Sequence, residues 1–220
     1  MDVEFERRKI VVDALKESCN IHQLVILDPV KPEATQHVDM FATFLAADQV
    51  LVAQVDPRQD PVNAQILDNN ARKLAKIKVD GKPLRVERIP VPKRDGKYWS
   101  PYTNIILSNK TILMPVYKSD PPSIVKNAVN VYKRLMPGFK VDTVDMTTMR
   151  KLEGALHCMS VNIPKFAELP DGVMTFKQAR KVAGNPGQLA RQKPKRAPRE
   201  KSVLKNDFVA TTPNLSLIHI

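Results

Sequence analysis

The chain has 220 residues, 43% of them hydrophobic, which suits one compact domain with an extension. Cys19 and Cys158 are its two cysteines, and no Cys-x-x-Cys or His-x-x-x-His spacing accompanies them, so neither a disulfide scaffold nor a zinc site of finger type fits. No run approaches the roughly 20 apolar residues of a membrane span, and no apolar stretch follows the charged N-terminal residues as a secretory signal requires, so the expected location is cytoplasmic.

The net charge of +12 is unevenly spread: ten Lys or Arg face two acids from Gly172 onward, a net +8, leaving +4 on the first 171 residues. Two regions are therefore expected, a folded domain over 1–171 and a basic, mostly disordered tail over 172–220.

In chain order, residues 2–18 read as an amphipathic helix through Phe5, Ile10, Val11, Ala14 and Leu15. Gln23 to Leu27 reads as a buried strand. Val38 to Leu45 and Val50 to Val55 read as a hairpin around Ala46–Gln49. A helix is expected over Asp60 to Ile77, a turn at Asp80-Gly81-Lys82, and a strand over Leu84 to Pro90. The grammar then repeats. Tyr102 to Leu107 and Thr111 to Val116 form a second hairpin around Ser108-Asn109-Lys110, and a helix runs from Pro121 to Met136 with Gly138 beyond its end. Val141 to Asp145 is a strand, and after a helical turn Ala155 to Val161 is another. In the tail, Phe176 to Val182 reads as one short helix, and Leu215 to Ile220 is apolar without an assigned role.

The two hairpins superpose at an offset of 61, Leu45 on Ile106, Asp48 on Asn109 and Leu51 on Ile112. Each unit carries a hairpin, a helix and a further strand, and a third begins near Ala155. Units that cannot bury their own faces stack on neighbours, so two and a half units imply partners upstream.

Three segments could carry chemistry. In Gln36-His37-Val38-Asp39-Met40, a strand would put His37 and Asp39 on one face. Asn104 opens the second hairpin much as Asp39 opens the first, and Cys158 opens the third unit. Taken alone, Cys158 on a strand beside Gly154 and Ala155 is a structural thiol, and His157 would alternate to the opposite face. In a radially repeated fold, however, equivalent places converge on the axis, which brings Asp39, Asn104 and Cys158 together.

His37-Val38-Asp39, the run Tyr102-Thr103-Asn104-Ile105-Ile106-Leu107-Ser108-Asn109 with Pro115, and Gly154-Ala155-Leu156-His157-Cys158 with Pro164 resemble the agmatine deiminase and Porphyromonas-type peptidylarginine deiminase family. The likeness covers about residues 20–165 and implies a pentein, an α/β propeller of repeated ββαβ units, here its C-terminal part. It also implies Cys158 as nucleophile, His37 as general acid/base, Asp39 as the carboxylate gripping a guanidinium, and Asn104 lining the same pocket. The implied partner is a guanidino substrate, small (agmatine) or peptidic, with no membrane and no metal or organic cofactor. The family's further carboxylate, in an earlier blade, has no match among the 36 residues before His37, and Leu152-Glu153-Gly154-Ala155 dilutes its glycine-rich approach to the cysteine. The chain therefore reads as a truncated form.

Competing readings are amidino transfer or dimethylarginine hydrolysis by the same residues, a catalytically inactive pentein fragment, and a binder acting through the basic tail. Nucleic acid would meet that tail nonspecifically, because Phe176 and Phe208 are too few for base stacking. Cys19 reads as structural, and the oligomeric state is open.

Overall fold

The computed structural model describes residues 3–19, 23–152, 154–161 and 215–218. They fall almost wholly in one compact unit, residues 1–160 with 211–220; a second unit, 161–210, lies outside the described residues save Val161. The short helix expected at Phe176 to Val182, the character of the basic tail and Glu153 therefore also lie outside them.

Helix α1 (Val3–Cys19) forms as expected, but two residues of its apolar stripe, Ile10 and Val11, are 67% and 43% exposed. Strand β1 (Gln23–Ile26) follows.

The repeat then appears as two three-stranded sheets of like order. In the first, β2 (Ala42–Ala46) runs antiparallel to β3 (Gln49–Gln54). Helix α2 (Pro61–Ala75) crosses over, the small hairpin β4 (Lys78–Val79) and β5 (Lys82–Pro83) follows, and β6 (Arg85–Pro90) returns parallel to β3 with Gln49 opposite Arg85. In the second, β7 (Ile106–Ser108) pairs antiparallel with β8 (Thr111–Val116), helix α3 (Pro122–Leu135) crosses over, and β9 (Lys140–Asp145) returns parallel to β8. Late in the chain, β10 (Leu215–Ile218) pairs in parallel with β1, so part of the apolar run without an assigned role forms a strand.

Local chemistry explains the boundaries. The Asp60 carboxylate accepts from the Asn63 backbone N–H at 3.1 Å, capping α2, with Pro61 at the first helical position. Asn109 and Lys110 both adopt positive φ, the backbone that a two-residue turn between twisted strands demands. Gly138, at φ +88°, follows α3 where a side chain would be strained. The central strands are the most buried: Val50, Leu51, Val52 and Ala53 of β3 have no exposure, nor do Ile112 and Met114 of β8. Leu67 and Leu74 of α2 and Ala128 and Tyr132 of α3 are buried in the same apolar core.

Three expected strands are corrected. Val38–Met40 is a 3-10 turn, closed by Met40 N–H to His37 O and Phe41 N–H to Val38 O, so β2 begins only at Ala42. The 102–105 stretch is turned, with Asn104 N–H donating to Pro101 O, and β7 begins at Ile106. Residues 157–159 are likewise a 3-10 turn, closed by Ser160 N–H to His157 O. In each case the backbone polar groups find local or side-chain partners in place of a ladder.

Two buried asparagines of α2 hold the segment leading to the first turn. Asn70 receives the Asp28 N–H at 2.9 Å and donates to Asp28 O at 2.7 Å; Asn63 does the same for Lys31, at 2.7 Å each way. Each amide stands in for a neighbouring strand. Asn63→Ala leaves both Lys31 backbone groups unpaired and is expected to cost about 1–3 kcal/mol. Urea unfolding should therefore show a lower midpoint at unchanged slope.

Candidate active site

The three turns that replace expected strands meet. The Nδ1 of His157 lies 2.9 Å from Asp39 Oδ2, and the Asn104 amide reaches both the backbone and the sulfur of the third turn. Asn104 is fully buried; its Oδ1 accepts from His157 N–H at 2.6 Å and its Nδ2 donates to Cys158 Sγ at 3.5 Å. His37, Asp39 and Cys158 each present one donor atom within 4.8 Å of one another. Thiolate, imidazole and carboxylate are also ligands a divalent cation such as zinc accepts, so this cluster is where the described residues could hold one.

Each side chain is positioned by identifiable contacts. His37 precedes the 3-10 turn in extended backbone, and Asp39 sits within that turn. The turn is fastened to the 99–104 segment twice: the Trp99 indole N–H donates to Met40 O at 2.9 Å, and the Thr103 hydroxyl donates to Asp39 O at 3.0 Å. The 99–104 segment is in turn anchored on the buried carboxylate of Asp120, which accepts from Ser100 Oγ at 2.8 Å and from Tyr102 OH at 2.7 Å. Tyr132 of α3 donates its hydroxyl to Tyr102 O at 2.7 Å. Burial holds the Tyr102 phenol far above its ordinary range, with the Asp120 hydrogen bond adding to the effect, so it remains a donor.

The sequence expectations fare unevenly here. His37, Asp39, Asn104 and Cys158 do come together, although Asp39 and His37 do so from a turn and its entry rather than from one face of a strand. Cys158 is exposed, so it is no buried structural thiol. Strand alternation would turn His157 away from Cys158; in the 3-10 turn it reaches Asp39. The clue in the sequence was its place beside Cys158, but a periodicity of two hid it.

Asp39 Oδ1 is buried without a hydrogen-bond partner, while Oδ2 is taken by His157. Among the described residues the cluster holds one carboxylate. A cavity of about 500 Å³ lies close by in the chain, lined by Gln36 and Met40, which flank His37 and Asp39, and by Ala155, three residues before Cys158. The four site side chains do not line it.

A family model for the Porphyromonas-type peptidyl-arginine deiminases matches residues 4–164. The chain belongs to that family. A provisionally named agmatine deiminase of Legionella pneumophila (strain Philadelphia 1) is 28% identical over 142 residues, covering 62% of this chain and 40% of that protein. One from Latilactobacillus sakei, likewise provisionally named, is 25% identical over 174 residues, covering 68% and 47%. The chain thus spans less than half the length of these curated relatives. Among solved structures, a provisionally named arginine deiminase from Porphyromonas gingivalis superposes with a TM-score of 0.62 at 25% identity, covering 72% of this chain and 48% of that one. The agmatine deiminase of C. jejuni gives 0.58 at 21% identity, covering 68% and 45%. The fold is the α/β pentein type, of which the described residues build two ββαβ units. No helix among the described residues is long and apolar enough to cross a membrane.

Asn104→Ala removes the acceptor for the His157 amide. That amide is expected to exchange with solvent about tenfold faster or more in the variant, read by hydrogen exchange, while the amides of β3 and β8 keep their protection.

Proposed function

We propose that this site hydrolyses a guanidino group to a ureido group and ammonia, with Cys158 as nucleophile, His37 as general acid and base, and Asp39 as the group that holds the guanidinium. The observation that carries the reading is the juxtaposition of thiol, imidazole and carboxylate within 4.8 Å, with Asp39 Oδ1 buried and unpartnered. Family membership supports it, and the names of the relatives favour agmatine as the first substrate to try.

The chemistry follows from the groups. A guanidinium carbon is planar and resonance-stabilised, so it yields to a soft, strong nucleophile such as thiolate. A carboxylate receives guanidinium N–H groups in charge-assisted hydrogen bonds and fixes the carbon for attack. The Sγ–C bond forms, giving a tetrahedral adduct. His37 as imidazolium gives a proton to the departing nitrogen, the C–N bond breaks, and ammonia leaves the adduct, which becomes a thiouronium on Cys158. Neutral His37 then takes a proton from water, the hydroxide adds to the same carbon, and the C–S bond breaks to return thiolate and, as the hydroxyl proton passes to solvent, the ureido product.

Asn104 has a further part beside the pocket-lining one that the family resemblance implies. Both ends of its amide are engaged by the turn carrying Cys158, so it acts as a positioning residue in this arrangement. His157 competes with substrate for Asp39, leaving Oδ1 as the ready acceptor.

Ammonia and ureido product should appear with agmatine, free arginine or an arginine peptide, and the preferred member of the three names the substrate. Cys158→Ala is expected to abolish release. His37→Ala should lower kcat by about 10²–10⁴, and Asp39→Asn should raise KM by about tenfold to a hundredfold. Absence of product from all three substrates with folded protein would leave a pentein scaffold without this activity.

A further inference from the structure

The thiol, imidazole and carboxylate of the site are also a set of metal donors. His37 offers a ring nitrogen, Asp39 a carboxylate oxygen and Cys158 its sulfur, and these three atoms lie within 4.8 Å of one another. They come from places far apart in the chain, His37 and Asp39 from the first turn and its entry, Cys158 from the third turn. An ion can reach them from solvent, because His37 and Cys158 are exposed and Asp39 is half-buried.

A thiolate, a carboxylate and a neutral imidazole together carry two negative charges, which balance those of a divalent cation. The sulfur selects a borderline-soft ion such as zinc over magnesium or calcium, which take oxygen donors. Zinc held by three side chains keeps a fourth, tetrahedral position for water. Tetrahedral ligands at ordinary zinc bond lengths stand roughly 3.5 Å apart, so the three atoms draw in by no more than roughly 1.3 Å. Small side-chain rotations of the exposed His37 and Cys158 cover that distance. Two of the three ligands also have the outer partners that orient a metal ligand. Asp39 Oδ2 meets His157 Nδ1 at 2.9 Å, and Cys158 Sγ accepts from Asn104 Nδ2 at 3.5 Å. Such partners are worth about 10–100-fold in metal affinity.

We propose that His37, Asp39 and Cys158 reversibly bind one zinc ion, and that the ion holds the site inactive. Binding takes the sulfur as thiolate, its proton passing to solvent, together with the imidazole lone pair and the carboxylate. The same three groups serve as nucleophile, acid and base, and guanidinium holder in the deimination above, so zinc and a guanidino substrate exclude each other. Chelation removes the ion and returns the thiol. The inhibition rests on the deiminase reading; the metal site does not.

The experiment uses the reduced full chain, stripped of metal by a chelator and dialysed. Zinc chloride is titrated in competition with a chromophoric chelator, and cobalt(II) is added in its place to reveal a thiolate-to-metal charge-transfer band. Alkylation of Cys158 by iodoacetamide is followed by peptide mass spectrometry, with Cys19, the other cysteine, as internal comparison. One zinc per chain is expected, undisturbed by magnesium or calcium, and cobalt should give the band. Zinc should slow alkylation at Cys158 and leave that at Cys19 unchanged. Cys158→Ala and His37→Ala, both at exposed positions and so expected to fold, should each weaken zinc by about a hundredfold, the upper end of what loss of an outer partner costs. Against agmatine, zinc should raise the apparent KM at unchanged kcat, and EDTA should reverse the effect. In a chain inactive towards every guanidino substrate, one zinc that protects Cys158 still upholds the metal site, and the deiminase reading alone fails. No zinc bound, undiminished affinity in folded Cys158→Ala, unslowed alkylation of Cys158, or an active chain whose turnover is unmoved by saturating zinc would each overturn the proposal.

Discussion

The amide of Asn104 is the joint on which the site depends. It is fully buried, and its two ends meet two different groups of one turn, the His157 N–H and the Cys158 sulfur. That turn has little regular structure to hold it: three residues of 3-10 helix with exposed side chains. A buried side chain from the second repeat supplies what a neighbouring strand would have supplied. Asn104 can do so only because the segment before it is rigid, fixed by Ser100 and Tyr102 on the Asp120 carboxylate and by Tyr132 on the Tyr102 carbonyl. Leaving any member of that buried network unpaired carries a desolvation cost.

The same segment reaches the other way. Trp99 and Thr103 take the carbonyls of Met40 and Asp39, so the turn bearing the carboxylate is tied to the residues that position the thiol. Two repeat units thus contribute polar groups to one place through irregular backbone, while the β3 and β8 ladders stay apolar behind them. The division is physical: a central strand must pair its own N–H and C=O groups with neighbouring strands, whereas a turn leaves them free for side chains from elsewhere.

Much of this was legible in the sequence. The offset of 61 between hairpins appears as two sheets of like strand order, and the helices start at Pro61 and Pro122, where prolines at a helix mouth direct them. The convergence of Asp39, Asn104 and Cys158 followed from their equivalent positions. What misled was alternation. Val38 and Met40, Tyr102 and Ile105, and Ala155 to Val161 have strand-like composition, but the groups that hold them, Trp99 and Thr103 on the first, Asp120 and Tyr132 on the second and Asn104 on the third, are remote in sequence and chosen by tertiary packing. His157 escapes the sequence reading for that reason.

Family membership and a thiol, an imidazole and a carboxylate within 4.8 Å point to chemistry that passes through sulfur. The most direct test is intact-protein mass spectrometry after acid quench of the protein with agmatine. The account predicts a transient added mass equal to agmatine less ammonia, mapped by peptide analysis to Cys158 and absent from Cys158→Ala. Ureido product formed with no adduct at any quench time, or formed equally by Cys158→Ala, would contradict it.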